Sequence, residues 1–148
     1  MNKRIQLLHD FFHAYASRFT HALKDESPDI DGTVTSFAEC FTAASPSGVT
    51  CGKNNEDFKT AISQGYAFYK TIGVRSMEIV FLETTILDGF HEMTKIRWNC
   101  GYAIKKDNSK GNIEFENFYF THTKEHEPKI FAYITGDEQA ALKEHGLI

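Results

Sequence analysis

The chain is poor in the residues that punctuate or staple unusual folds. It has only 3 prolines, 10 glycines and 3 cysteines in 148 residues, which excludes a collagen-like or low-complexity chain. Cys40, Cys51 and Cys100 are odd in number, and no two of them stand at a metal or redox spacing such as C-x-x-C. They read as free thiols in a reducing compartment. Basic clusters are missing as well: 16 Lys+Arg against 20 Asp+Glu leave a formal charge of −4, so nucleic acid is not an expected partner. No segment approaches the roughly 18 apolar residues of a membrane span, so no membrane partner is expected. Asn2-Lys3-Arg4 before an apolar stretch, with Ala14-Tyr15-Ala16 beyond it, imitates a signal peptide. Gln6, His9, Asp10 and His13 interrupt the apolar run that such a peptide needs, so a cytoplasmic protein is expected.

Apolar residues are plentiful by contrast, at 41%, and charged residues make up 24%. A chain of this length buries roughly 68–70% of its extended surface and needs no staple, so one domain over residues 1–148 is expected. Ile5, Leu8, Phe12, Tyr15, Phe19 and Leu23 recur at helical spacing and predict a long first helix over residues 3–24 with an aromatic face. Asp25, Glu26, Ser27 and Pro28 are expected to stop it. A short second helix is predicted between Val34 and Glu39, then two short strands about the turn Ser45-Pro46-Ser47-Gly48. Asn55 reads as the cap of a further helix that Gly73 ends, with Phe58, Ala61, Ile62, Gly65, Tyr69 and Ile72 on its buried stripe.

After Val74 the apolar period changes to two. Strands 74–87 and 90–105 flank Asp88-Gly89, a strong hairpin signal. A two-residue loop there sets Leu87 opposite Phe90, Phe81 opposite Ile96, Ile79 opposite Trp98 and Met77 opposite Cys100. That register predicts a core face with Arg75, Met77, Ile79, Phe81, Glu83, Thr94, Ile96, Trp98, Cys100 and Tyr102. The opposite face, with Ser76, Glu78, Val80, Leu82, Lys95, Arg97 and Asn99, is too apolar for open water and too charged for a core, and reads as a subunit interface. Strand 113–123 is expected to turn Ile113, Phe115, Asn117, Tyr119 and Thr121 inward, and strand 129–135 follows. Asp137 caps a short last helix that Gly146 terminates. The predicted class is α+β, with helices on one face of a curved antiparallel sheet.

This order, with Phe37-Ala38-Glu39-Cys40-Phe41-Thr42, the stretch Ser45-Pro46-Ser47-Gly48-Val49-Thr50-Cys51-Gly52-Lys53 and the terminal run from Ile130 to Gly136, resembles the nuclear transport factor 2-like (NTF2-like) superfamily of SnoaL-like and ketosteroid isomerase-like proteins. The resemblance implies a cone: a curved antiparallel sheet wrapped around a long N-terminal helix and a second helix. It also implies a pocket between the first helix and the concave sheet, and a homodimer formed sheet to sheet. Ketosteroid isomerases in that group carry a general base, an aspartate directly before the proline of the first-strand turn. Ser45 stands there, and a neutral serine cannot take a carbon-bound proton at pH 7. The resemblance places their oxyanion tyrosine at Phe19, which has no hydroxyl, with Tyr15 one turn earlier. Isomerase catalysis is therefore not expected, and no catalytic residue or reaction class is assigned.

The aromatic share, 14%, suggests a lined pocket. Its expected ligand-binding residues are Phe12, Tyr15, Phe19, Tyr69, Trp98, Tyr102, Asn117 and Tyr119, with the tyrosine hydroxyls and Asn117 as polar handles. His9 and His13 share a helix face, like the histidines of H-E-x-x-H. They lie about 80–120° from the aromatic stripe at 3.6 residues per turn and lack a third ligand, so no metal is expected, and no cofactor. Glu83 is a carboxylate on the predicted core face, and His122 and His126 flank a charged turn. Two readings stay open: a protein that binds a small hydrophobic or aromatic molecule, and a non-catalytic homodimeric interaction module whose cone is plugged by its own side chains.

Overall fold

The computed structural model describes residues 2–24 and 27–148. Helix α1 (Lys3–Lys24) buries Leu8, Phe12, Ala16, Ala22 and Leu23 on one stripe, as its periodicity predicts. Asp25 and Glu26, half of its expected stop, lie outside the described residues. Helix α2 (Ile30–Val34) starts earlier than expected, because the Asp29 side chain accepts from the Gly32 amide and caps it there. Phe37, Ala38 and Glu39, read as helical from the sequence, instead open strand β1 (Phe37–Ser45), where Phe37 and Phe41 bury their rings.

A two-residue loop joins β1 to β2 (Gly48–Lys53), with Ser45 paired to Gly48 and the glycine at φ 136°. Helix α3 (Glu56–Ile72) is capped by Asn55, whose side chain accepts from the Phe58 amide. It closes on Gly73 in the left-handed region at φ 103°, as the sequence implies. Its buried residue is Tyr66, not Ala61, which faces solvent. The Tyr66 hydroxyl lies 2.8 Å from Thr33 Oγ1, and that buried bond draws the face of α3 toward α2.

Strands β3 (Val74–Ile86), β4 (His91–Ala103), β5 (Lys110–Lys124) and β6 (Glu127–Ile134) follow, then helix α4 (Glu138–Glu144) under its Asp137 cap. They make one curved, unclosed sheet in the order β2-β1-β6-β5-β4-β3. It is antiparallel except where β1 runs parallel to β6, so the sheet is mixed. Helix α1 lies across the concave side. Thr20 Oγ1 locks it to β3 by accepting from the Met77 amide at 3.0 Å and donating to the Met77 carbonyl at 2.9 Å.

The β3–β4 register is as predicted at Met77–Cys100 and Ile79–Trp98 but slips by one above them, because a bulge inserts Val80. Phe81 then pairs with Arg97 and Leu82 with Ile96, so the two change faces relative to the expectation. Phe81 is 43% exposed on the convex face, with the Arg97 guanidinium 5.9 Å from its ring centre. Glu83 faces outward beside Lys95 for the same reason. The hairpin loop is also longer than two residues. Asp88 Oδ1 accepts from the amides of Phe90 and His91, both at 2.8 Å, which widens the turn to residues 87–90.

A carboxylate does lie inside, on β4, whose inward face (Glu92, Thr94, Ile96, Trp98 and Cys100) keeps the predicted parity. Glu92 is fully buried. Its Oε2 receives Arg4 Nε at 2.7 Å, and its Oε1 receives the hydroxyls of Thr121 and Thr123 at 2.6 and 2.7 Å. The start of α1 is thus fastened to the sheet through a completed ion pair.

Candidate functional site: an aromatic cavity in the cone

The cone is not filled. A cavity of about 220 Å³ lies between α1, α3, α4 and the concave sheet. Helix α1 presents Tyr15 and Phe19, β4 presents Trp98 and Cys100, and β5 presents Ile113, Phe115, Asn117 and Tyr119. The inward parity of β5 is as its alternation predicts: Ile113, Asn117, Tyr119 and Thr121 are buried and Phe115 half-buried. Phe58, Ile62 and Tyr69 of α3 form the opposite wall, and Glu138, Ala141 and Leu142 of α4 stand across one end.

Polar groups gather at two places. On the sheet wall, Tyr119 accepts two hydrogen bonds, from Trp98 Nε1 at 3.1 Å and from Asn117 Nδ2 at 3.1 Å. Asn117 is 8% exposed, and among the described residues its Oδ1 has no hydrogen-bond partner. A buried orphan acceptor of this kind costs about 1–3 kcal/mol, and of the four such side-chain atoms among the described residues it alone belongs to a residue lining the cavity. Burial pushes the Tyr119 hydroxyl up to about 12 against the opposing effect of its two donors. Burial, then neighbouring Tyr119, Tyr66 and Tyr133, holds Tyr15 well above the ordinary tyrosine value. Both phenols are therefore neutral donors across the physiological range.

At the other end, Tyr69 donates its hydroxyl to Glu138 Oε1, tying α3 to the start of α4. Glu138 as a residue is exposed, but its carboxyl is turned back toward the cavity, and burial raises its pKa.

Six of the eight residues expected at the pocket stand on this wall: Tyr15, Phe19, Tyr69, Trp98, Asn117 and Tyr119. Phe12 does not, because it is fully buried with its ring 5.2 Å from that of Tyr119. Tyr102 does not either. The bulge at Arg75 pairs it with Val74 beyond the cavity, and its ring packs 6.2 Å from His145. Sequence reasoning missed Phe37, Tyr133 and Glu138. Phe37 was hidden by the helical assignment, Tyr133 sits past a bulge between β5 and β6, and Glu138 reads as an ordinary acidic residue in a first helical turn.

The remaining sequence candidates are elsewhere. Ser45 is on the β1–β2 turn, its hydroxyl 2.8 Å from that of Ser47, and is not on the cavity wall. The rings of His9 and His13 are 4.2 Å apart, and among the described residues no group of three or more His, Cys, Asp or Glu has metal-site geometry. His122 is not in a turn. It lies on β5 with Nδ1 3.1 Å from His91 Nε2, whereas His126 is exposed in the loop at φ 65°. No helix among the described residues is long and apolar enough to cross a membrane.

Residues 6–138 match a family described as NTF2-like protein (DUF6841). No curated protein matches the sequence. Among solved structures, an NTF2-like protein with a cystatin-like fold from Novosphingobium aromaticivorans aligns with a TM-score of 0.67 at 9% identity, over 97% of this chain and 87% of its own. An NTF2-like protein of unknown function from Shewanella oneidensis aligns with a TM-score of 0.64 at 12% identity, over 89% of this chain and 98% of its own. A ketosteroid isomerase-like protein from Erwinia carotovora atroseptica aligns with a TM-score of 0.62 at 13% identity, over 92% and 97%. At these identities the likeness is one of fold alone.

Proposed function

The chain belongs to this NTF2-like family, and on that premise we propose that it binds a small hydrophobic or aromatic molecule in the cavity between α1 and the concave sheet. The observation that carries the reading is the cavity itself, about 220 Å³ walled by aromatic rings, with Asn117, whose Oδ1 is unpartnered among the described residues, in its lining. An engineered apolar cavity of about 150 Å³ admits benzene. At interior packing density the larger space here holds a ligand of about ten non-hydrogen atoms. The ligand-contacting residues in this proposal are Tyr15, Phe19, Tyr69, Trp98, Asn117 and Tyr119. A module with a plugged cone is the weaker reading, because side chains leave that space open.

The proposed assembly is a homodimer through the convex sheet face. Val80 is 53%, Phe81 43% and Ile134 43% exposed there, beside Lys95, Arg97 and Glu116. Apolar groups ringed by charge are the makeup of a subunit interface. The three free thiols fit a reducing compartment, and the cytoplasm is the proposed location. The ketosteroid isomerase reaction is not part of the proposal, since Ser45 supplies no base and stands away from the cavity.

Native mass spectrometry of gently purified protein tests binding and assembly together. A dimer with a reproducible small-molecule adduct is the expected spectrum. A bare species, with no thermal stabilisation by any of a panel of single-ring compounds, would overturn the binding reading.

A further inference from the structure

Tyr119 and Asn117 state what kind of group the cavity is built to meet. A phenol oxygen has two lone pairs and one proton. Both acceptor positions of Tyr119 are taken, by Trp98 Nε1 and Asn117 Nδ2, each at 3.1 Å. Its proton is therefore the group left to give. Asn117 has spent one amide proton on Tyr119, and its Oδ1 accepts from no group among the described residues. The wall thus offers one donor and one acceptor, a single hydrogen bond apart, among Trp98, Ile113 and Phe115. Among the described residues no lysine or arginine lines the cavity, and its acidic residues, Asp137 and Glu138, are at the α4 end.

Resting on the binding reading above, we infer that the Asn117–Tyr119 pair selects an uncharged hydroxyl carried on a ring, a phenol or a cyclic alcohol. Such a hydroxyl donates to Asn117 Oδ1 and accepts from the Tyr119 O–H, satisfying both groups with one atom. An ether or ketone accepts only and leaves Asn117 Oδ1 orphaned. A plain hydrocarbon leaves both unpaired. A carboxylate brings an anion against a carbonyl oxygen with no cation to offset it, which a low-dielectric site penalises heavily. Burial of Tyr119, which keeps its proton on across the neutral range, agrees with a donor at that place.

The test is isothermal titration calorimetry of the intact protein at pH 7 with four matched compounds: 4-ethylphenol, 4-ethylanisole, ethylbenzene and 4-ethylbenzoate. A site whose buried polar groups need partners discriminates against analogues that lack them, so 4-ethylphenol should bind at least about tenfold more tightly than the anisole or the hydrocarbon. The benzoate should not bind measurably. Asn117→Leu should bring the phenol down to the anisole's affinity while moving the hydrocarbon by less than about threefold. Tyr119→Phe is the second variant, with the same expected loss of preference, should Asn117→Leu fail to fold.

Equal affinity for the phenol and ethylbenzene would overturn the hydroxyl inference and leave cavity binding standing. Tightest binding of the anisole would also overturn it, by showing the Asn117 amide turned over with its nitrogen toward the ligand. Failure of all four compounds to bind would remove the binding reading itself.

Discussion

Replacing Arg4 with methionine isolates the best-defined polar interaction in the molecule. Glu92 is fully buried and the Arg4 side chain 22% exposed, so the substitution leaves a buried carboxylate without its cation. Two charge-assisted contacts disappear, Arg4 Nε to Glu92 Oε2 at 2.7 Å and Nη2 to the same oxygen at 2.5 Å, and only the two threonine hydroxyls remain. Breaking a buried pair from one side costs about 3–5 kcal/mol. Partial water access at the Arg4 end sets the expected loss at the lower limit, about 3 kcal/mol. For a chain of this size that lowers the melting temperature by about 6–12 °C. Adding Glu92→Gln removes the stranded charge but keeps an oxygen for Thr121 and Thr123. The double variant should recover about 1–2 kcal/mol. Urea titrations followed by circular dichroism measure all three proteins. The reasoning fails if Arg4→Met lies within about 0.5 kcal/mol of the parent, or if the double variant is no better than the single.

Cys100 is buried and its thiol is pushed up to about 11, whereas Cys40 and Cys51 are exposed, so a thiol reagent at pH 8 should modify those two quickly and Cys100 only after unfolding; three equal rates would contradict this. The same raised pKa means that the folded state holds a proton the unfolded chain has lost, so this contribution to stability is complete below pH 9.0 and is lost as pH rises toward about 11. Cys100→Val should flatten that slope in denaturant titrations. Gly73→Ala should cost at least about 1–2 kcal/mol, because the residue sits at φ 103° and a Cβ there would stand 2.5 Å from the Ala103 carbonyl oxygen; an unchanged unfolding midpoint would count against the strain. Val80→Glu should shift the proposed dimer toward monomer in sedimentation at micromolar concentration, and an unchanged mass would count against the convex face as the interface.

What the sequence disclosed follows the range of the physics involved. Caps and stops act within a turn, so Asn55, Gly73, Asp137 and Gly146 were legible at once. Alternation of apolar and polar residues decided the inward face of β5, and with it Asn117 and Tyr119. Register above Ile79 was not legible. The bulge at Val80 and the wider loop under Asp88 have no local signature, and together they exchanged Phe81 for Leu82 on the concave face and turned Glu83 outward. The first residues of β1, Phe37 to Glu39, read as helical because their pairing with β6 joins segments about ninety residues apart, a contact with no local signature. Tyr102 keeps the parity of Trp98 and Cys100 but lies farther along β4, against His145 and past the cavity, a distance that alternation does not encode.

Ligand entry into the aromatic cavity has a built-in reporter, since the single tryptophan is Trp98 on the cavity wall. Titrating 4-ethylphenol while following Trp98 emission should give a saturable change in the parent protein. The same titration should be flat in Ala141→Phe, which fills the space from α4 and is first shown to be folded by circular dichroism. A parent protein whose emission does not respond, or a filled variant that responds as the parent does, would show that the cavity takes no such ligand.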